Sequence, residues 1–392
     1  MKNNWQTKKL GDICNLIGGG TPSKSNRSFY DGDIPWATVR DMKSEIIVDT
    51  DFKITREAVK KSSTNVIPKN NVVIASRVGL GKVCFLEIDA AINQDLRAII
   101  PKNSKELNVH YLFWWLKSIA HLIEEEGTGA TVKGVKLPFI KSLEIPLPPL
   151  PEQHRIVKIL DEAFAAIAKA KENAKKNLRN ARELFESYLQ GVFVKLGEGW
   201  EEKQVNEICE VEYGYTEKAK SHGDYRFVRI TDTNEDGLLT QGSKMYINSF
   251  DDANKYVLAN GDLLMARTGA SAGNLLLFEG NEKAVFASYL IRMKFKKEIL
   301  SKLYWYFSKS KLYWDQVRQL SAGSAQPQFN GGALKQIVFP FPKSLPEQRA
   351  IVAKLDALSG ETKKLEAIYK QKLANLEELK KSVLKKAFAG EL

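Results

Sequence analysis

Four loops in the first half of this 392-residue chain carry side chains suited to holding a nucleic acid rather than to breaking a bond. In "GGGTPSKSNR" three glycines lead to Thr21, Ser23, Lys24, Asn26 and Arg27. "SRVGLGK" supplies Arg77 and Lys82, and "NQDLR" supplies Gln94 and Arg97. "GTGATVKG" adds Thr128, Thr131 and Lys133. The second half has its own set: Tyr215, Lys218 and Lys220 in "GYTEKAK", Arg267 in "ARTGASAG", and Ser288 with Tyr289 in "FASYL". "GSAQPQFNGG" completes it with Ser324, Gln326, Gln328 and Asn330. Arg, Lys, Asn, Gln and small hydroxyls are the groups that pair with base edges in a groove, and the cations also neutralise phosphates. Plainer readings compete at some positions. Thr21 caps the turn before Pro22, Asn330 beside two glycines makes a turn, and Arg77 and Arg267 share a structural or phosphate-contacting role.

Bond-making chemistry has little support. An amino-methyltransferase needs an [N/D/S]PP[Y/F/W] turn around the extruded base, and the only PP, in "PLPPLP", lacks it. "SRVGLGK" is no phosphate loop, because Ser76 stands where glycine is required and Val83 where Ser or Thr is required. His110, His121, His154 and His222 show no metal-ligand spacing, and Cys14, Cys84 and Cys209 form no CxxC pair. The dipeptide PD, expected of many nucleases, is absent.

The formal net charge of +12 favours a polyanionic partner, against the bland reading of a protein merely kept soluble by lysines. Hydrophobic content of 43% suits a soluble globular chain of two or three domains. No apolar run reaches the ~20 residues that span a bilayer, and the start lacks a secretory pattern, so a cytoplasmic location without membrane contact is expected.

The elements that must position these loops are written twice. "LPEQHRIVKILDEA" from Leu150 and "LPEQRAIVAKLDAL" from Leu345 agree at eight of fourteen positions, where chance gives about one. The same offset of 195 sets Trp5, Lys8, Ile13 and Cys14 on Trp200, Lys203, Ile208 and Cys209, and Phe193 on Phe388. The chain is therefore a tandem repeat of one large unit. "NVVIAS" and "KVCFLEI" predict buried strands, "ELNVHYLFWWLKSIAHLIEEE" predicts a helix, and the proline-rich "EIPLPPLP" and "VFPFPKSLP" predict extended exits that continue neither.

Each exit leads into a long helix with a 4,3 apolar spacing. The first seam runs Ile156, Leu160, Ala163, Ile167, Ala170, Ala174, Asn177, Ala181, Leu184 and Tyr188. The second runs Ile351, Leu355, Leu358, Thr362, Leu365, Tyr369, Lys372, Leu376, Leu379 and Val383. Such heptads predict a coiled coil, with the two helices paired antiparallel within the chain and pairing with a second copy as the alternative. The expected fold is α+β: two similar α+β domains, residues 1–150 and 196–345, separated by helices at 151–195 and 346–392 around an internal pseudo-twofold axis.

This architecture resembles the specificity subunit of type I restriction–modification systems over essentially the full chain. The doubled "LPEQ" starts, the closing "SVLKKAFAGEL", "GGGTPS" and "GSAQPQFNGGALK" carry the likeness. The resemblance implies a non-catalytic DNA-binding adaptor with two target recognition domains, each reading half of a bipartite site on double-stranded DNA. It implies that the helices set the spacing and dock two modification (methyltransferase) subunits, with the restriction/translocase subunits joining through the complex. S-adenosylmethionine, ATP and Mg would sit on those partners, and this chain would hold no cofactor and no metal. Docking is expected at the helix ends and outer faces, through Glu152, Gln153, Asp161, Phe193, Glu347, Gln348, Asp356 and Phe388. Leu160, Ile167, Leu355 and Leu365 are expected to be seam residues. A self-sufficient DNA methyltransferase or nuclease with an unrecognised active site is the alternative.

Overall fold

The computed structural model describes residues 5–129, 133–240, 242, 244–321 and 328–392. It divides into two compact units, Met1–Lys175 with Gln371–Leu392, and Lys176–Lys370. Each unit thus takes a head of mixed strands and short helices plus one half of each long helix, Leu150–Val194 and Leu345–Ala389. The division cuts across the linear boundaries drawn from the sequence. Among the described residues no helix is long and apolar enough to cross a membrane.

In the first head the main sheet runs Cys14–Gly18, Leu96–Pro101, Asn71–Ala75, Val83–Leu86 and Ile46–Ile47 in spatial order. "NVVIAS" forms its centre, and its side chains alternate between two cores: Val72 and Ile74 join Trp115 and Leu160, while Val73 and Ala75 join Ile92 and Leu96. That period of two, apolar on both faces, explains why Val72 to Ala75 are apolar without a break. A smaller sheet places Lys53–Ile54, Ile34–Ala37, Ala90–Ile92 and Asn65–Ile67 side by side. The second head repeats the plan with Cys209–Tyr213, Leu290–Phe295, Leu263–Ala266 and Leu275–Leu277, beside a smaller sheet of Tyr246–Ile247, Tyr225–Val228 and Ala284–Phe286.

The glycines before Thr21 and Tyr215 serve a crossing of backbones. A Cβ on Gly19 would lie inside 3.0 Å of the Asn93 and Ile92 carbonyls, and one on Gly214 would meet those of Ala287 and Phe286 the same way. At this crossing the Gly20 N–H donates to Ile92 O at 3.0 Å and the Tyr215 N–H to Phe286 O at 2.9 Å.

Two expectations need correction. The proline segments do form strands: Glu144–Leu147 pairs antiparallel with Gln6–Lys9, and Val338–Pro342 with Trp200–Gln204. Each is a two-stranded ribbon, which is all edge, and an edge tolerates a missing N–H. The aromatic helix is two pieces, Val109–Ser118 and Ala120–Glu125, parted at Ile119 (φ −105°, ψ 10°). Asn108 caps the first piece by accepting from the N–H groups of His110 and Tyr111.

The long helices run antiparallel within each unit. In the first, Lys171 pairs with Glu377 while Arg155 donates to the Leu392 carbonyl at 2.8 Å. In the second, Arg182 forks onto Glu366 at 2.8 and 3.2 Å while the Lys354 ammonium lies 4.8 Å from the Tyr188 ring centre. Leu160, Ile167, Ala174, Ala181 and Leu355 are buried as expected of a seam. Asn177, Leu184, Leu365, Lys372 and Leu379 are exposed, Leu184 by 67% and Leu365 by 39%. Cover passes instead to Leu178, Phe185 and Leu189 on the first helix and to Leu373 on the second, all of them buried or half-buried, while Tyr369 of the expected seam stays half-buried. A helix of 3.6 residues per turn drifts about 20° per heptad against a strict 3.5 repeat, so a fixed 4,3 count walks off the buried stripe.

Candidate nucleic-acid interface

In the first head the loops gather at one end of the main sheet. Crossing at Gly19 brings Thr21 against Gln94, which its hydroxyl hydrogen-bonds. Thr21, Lys24 and Gln94 line a cavity of about 630 Å³ with Tyr30, Trp36, Arg40, Phe52 and Asp95. Trp36 stands in its wall, donating from Nε1 to the Gly20 carbonyl at 3.2 Å, with Tyr30 edge-on at 5.8 Å. Arg77 borders the same region, 3.9 Å from Asp95, and its backbone bridges to Gly134. Gly134 in turn exchanges backbone hydrogen bonds with Thr128 at 2.9 and 3.1 Å, which sets Thr128 and Gly134 beside Arg77. Lys133 is exposed there. Thr131 lies outside the described residues.

Other candidates stand apart from this cluster or are already engaged. Asn26 accepts from the Ser28 N–H at 3.2 Å and caps the short helix Arg27–Tyr30, a turn role. Ser23 pairs with Ser25, and Lys82 reaches the Met42 carbonyl at 3.4 Å. Arg97 is half-buried with its guanidinium over Gly18, and burial lowers its pKa.

In the second head Arg267 is the centre. Its guanidinium carbon lies 5.4 Å from the Tyr213 ring centre and 5.6 Å from that of Tyr289. Its N–H donates to the Tyr289 carbonyl at 3.1 Å, and its own carbonyl accepts from Phe329 at 2.9 Å. Gln328 bridges to Thr268 beside it. Asn330 accepts from the Ala333 N–H at 3.0 Å and caps the short helix that follows, so it is a turn residue here. Tyr215 lies flat on Phe250, ring centres 3.9 Å apart, which occupies one of its faces; Ser288 donates its N–H to the Tyr215 carbonyl. Lys220 is held by backbone pairing with Tyr246, while the Lys218 and Lys220 side chains are exposed. Ser324 and Gln326 lie outside the described residues. Tyr213 and Trp36 were missed in the sequence, since each reads there as an ordinary aromatic near a strand.

The helix starts give the clearest correction. Gln153 is fully buried: its Oε1 accepts from the Asn108 N–H at 2.8 Å, and its Nε2 donates to the carbonyls of Glu106 and Pro148 at 2.8 and 2.9 Å. Gln348 does the same with the Leu300 N–H and the carbonyls of Glu298 and Pro342, at 2.8, 2.9 and 2.9 Å. These glutamines staple each helix to its own head and present nothing to a partner. Phe193 is likewise core, 5.3 Å from Phe307, while Phe388 packs half-buried on Tyr111. Asp161 accepts from Trp114 Nε1 at 2.8 Å and Asp356 from the Tyr306 hydroxyl at 2.6 Å. Glu152, paired with Arg155, is half-buried, and Glu347, accepting from Trp200 Nε1 at 3.1 Å, is exposed.

The three cysteines are buried, and burial pushes the thiols of Cys14 and Cys209 up to about 12 and that of Cys84 up to about 11. They are thiols, not thiolates, at neutral pH and are poor nucleophiles.

The two α+β heads share one plan, and each carries a cluster of polar loops at a sheet end. Residues 2–177 and 197–377 match the family described as the Type I restriction modification DNA specificity domain, and the chain belongs to that family. It is 30% identical over 227 residues to the Type I restriction enzyme MjaIX specificity subunit of Methanocaldococcus jannaschii, covering 54% of this chain and 52% of that protein. The chain thus spans about half the length of that relative. The MjaVIII specificity subunit of the same organism is 22% identical over 412 residues, covering 99% of this chain and 93% of the relative. A solved chain from work on complex assembly and conformational transition of the type I R-M system shares the fold, with a TM-score of 0.78 at 20% identity, over 99% of this chain and 98% of that one.

Proposed function

We propose that this chain is the DNA-recognition subunit of a type I restriction–modification complex, each head reading one half of a bipartite duplex site. The observation that carries this is the twofold construction of one loop cluster: the same scaffold places an arginine, a glycine crossing and a following loop at each sheet end, with different polar neighbours around them. One scaffold with two polar dressings suits two different half-site sequences. The paired helices set the half-site spacing and carry two methyltransferase subunits through surface groups such as Glu152, Asp161 and Glu347. S-adenosylmethionine, ATP and Mg belong to the partner subunits, and the chain works in the cytoplasm as an adaptor without catalysis of its own.

Reconstitution tests this directly. The chain alone should bind duplex DNA with an affinity that falls steeply with salt, and should transfer no methyl group. With the methyltransferase subunits and S-adenosylmethionine added, adenine methylation should appear at one split motif. Methyl transfer by the purified chain alone would overturn the reading.

A further inference from the structure

Two arginines stand at matched strand ends of the two heads: in the first, Ser76 and Arg77 both donate their N–H to the Asp95 carbonyl, at 2.8 and 3.2 Å, where in the second Arg267 alone donates to that of Tyr289, so a one-residue bulge sets Arg77 one position beyond Arg267 in strand register. Arg77 follows the end of strand Asn71–Ala75, and Arg267 follows the end of Leu263–Ala266. Each is succeeded two residues later by a left-handed glycine, Gly79 at φ 77° and Gly269 at φ 74°. Each faces the loop before the last short helix of its head, Arg77 through Gly134 and Arg267 through Phe329.

Their neighbours correspond in place and differ in kind. Asp95 directly precedes Leu96, which pairs with Ala75, and Tyr289 directly precedes Leu290, which pairs with Ala266. Gln94 corresponds to Ser288 in the same way. Gly18, opposite Arg97, corresponds to Tyr213, opposite Ile291. Two heads that read different half-sites must differ at the positions that read bases. They agree where a contact carries no sequence, and on a duplex that contact is a phosphate.

The electrostatics fit an external oxyanion. Arg267 has no carboxylate partner among the described residues, and its buried Nε has no hydrogen-bond acceptor there. Tyr213 and Tyr289 hold the guanidinium by their ring faces, which fixes its orientation and leaves its donors unspent. Arg77 keeps one long ion pair, 3.9 Å to Asp95, and half of its side chain lies in solvent. A planar guanidinium so placed forks onto two oxygens of a phosphate.

Resting on the DNA-recognition reading above, we infer that Arg77 and Arg267 each anchor one backbone phosphate of their half-site, blind to sequence, and that the unmatched residues beside them do the reading.

The test uses the full chain, a duplex bearing its methylated motif, and a scrambled duplex, titrated from about 50 to 300 mM KCl. Arg77→Gln and Arg267→Gln should each weaken both duplexes by the same factor and reduce the salt slope by about one. Arg77→Lys and Arg267→Lys should keep the wild-type slope. A neutral methylphosphonate, moved phosphate by phosphate, should reveal one sensitive position per half-site that falls silent in the matching Gln variant. A merely structural arginine would silence no single phosphate. A loss confined to the cognate duplex, an unchanged slope, or a scan without one such phosphate per half-site would overturn the inference. Should a Gln variant fail to fold, the Lys variants and the wild-type scan still decide it. A wild-type chain without salt-dependent affinity for either duplex would overturn the DNA-recognition reading itself, and this inference with it.

Discussion

Gln153→Ala should destabilise the first unit by about 3 kcal/mol, and Gln348→Ala the second by as much. Each substitution removes three buried hydrogen bonds, and each leaves one backbone N–H and two carbonyls without a partner. A net worth of about 1 kcal/mol per bond, with a further penalty for the stranded groups, sets that scale. In units near 200 residues this lowers the melting temperature by roughly 10 °C. Because the two staples lie in different units, the double variant should show both losses. Glu152→Gln, one residue away, breaks only an exposed ion pair with Arg155 and should cost no more than about 1 kcal/mol. Denaturant unfolding of the four chains checks this, and a loss below about 1 kcal/mol for Gln153→Ala would contradict the staple.

Gly19→Ala and Gly214→Ala should do comparable damage by a different route. The added methyl group has two backbone carbonyls inside 3.0 Å, so the strands must part rather than a side chain swing away. Overpacking against backbone costs about 3 kcal/mol or more. Parting them also breaks the Gly20 and Tyr215 backbone hydrogen bonds and carries the Thr21 loop away from Gln94. DNA affinity should therefore fall with stability. Gly18→Ala is the control for folding: its nearest neighbour would be the flexible Arg97 guanidinium at 3.6 Å, so it should be as stable as wild type. Tight binding by Gly19→Ala would show that the crossing does not position the loop.

What could be read from the residues was what local chemistry writes down. The 195-residue offset, the long helices and the strand "NVVIAS" each leave a periodic or repeated trace. The role of "LPEQ" leaves none. Its glutamine looks like any surface polar residue until Glu106, Asn108 and Pro148 converge on it from other segments. Phe193 likewise reads as an exposed helix end and proves to be core, because the end of the first helix packs on Phe307. The 4,3 count fails at Leu184 and Leu365, where accumulated drift has turned the buried stripe aside. At the candidate interface the loops could be named, yet the contact of Thr21 with Gln94 and the enclosure of Arg267 by Tyr213 depend on strand crossings with no sequence signature.

The central claim is that one chain reads two half-sites. Mapping methylated adenines across the host genome, with and without this gene, tests it most directly. The account predicts that one split motif, with two unlike halves around a fixed unread spacer, disappears on deletion and returns on complementation. Loss of a single continuous motif, or an unchanged map in cells that express the chain and its methyltransferase subunits, would contradict it.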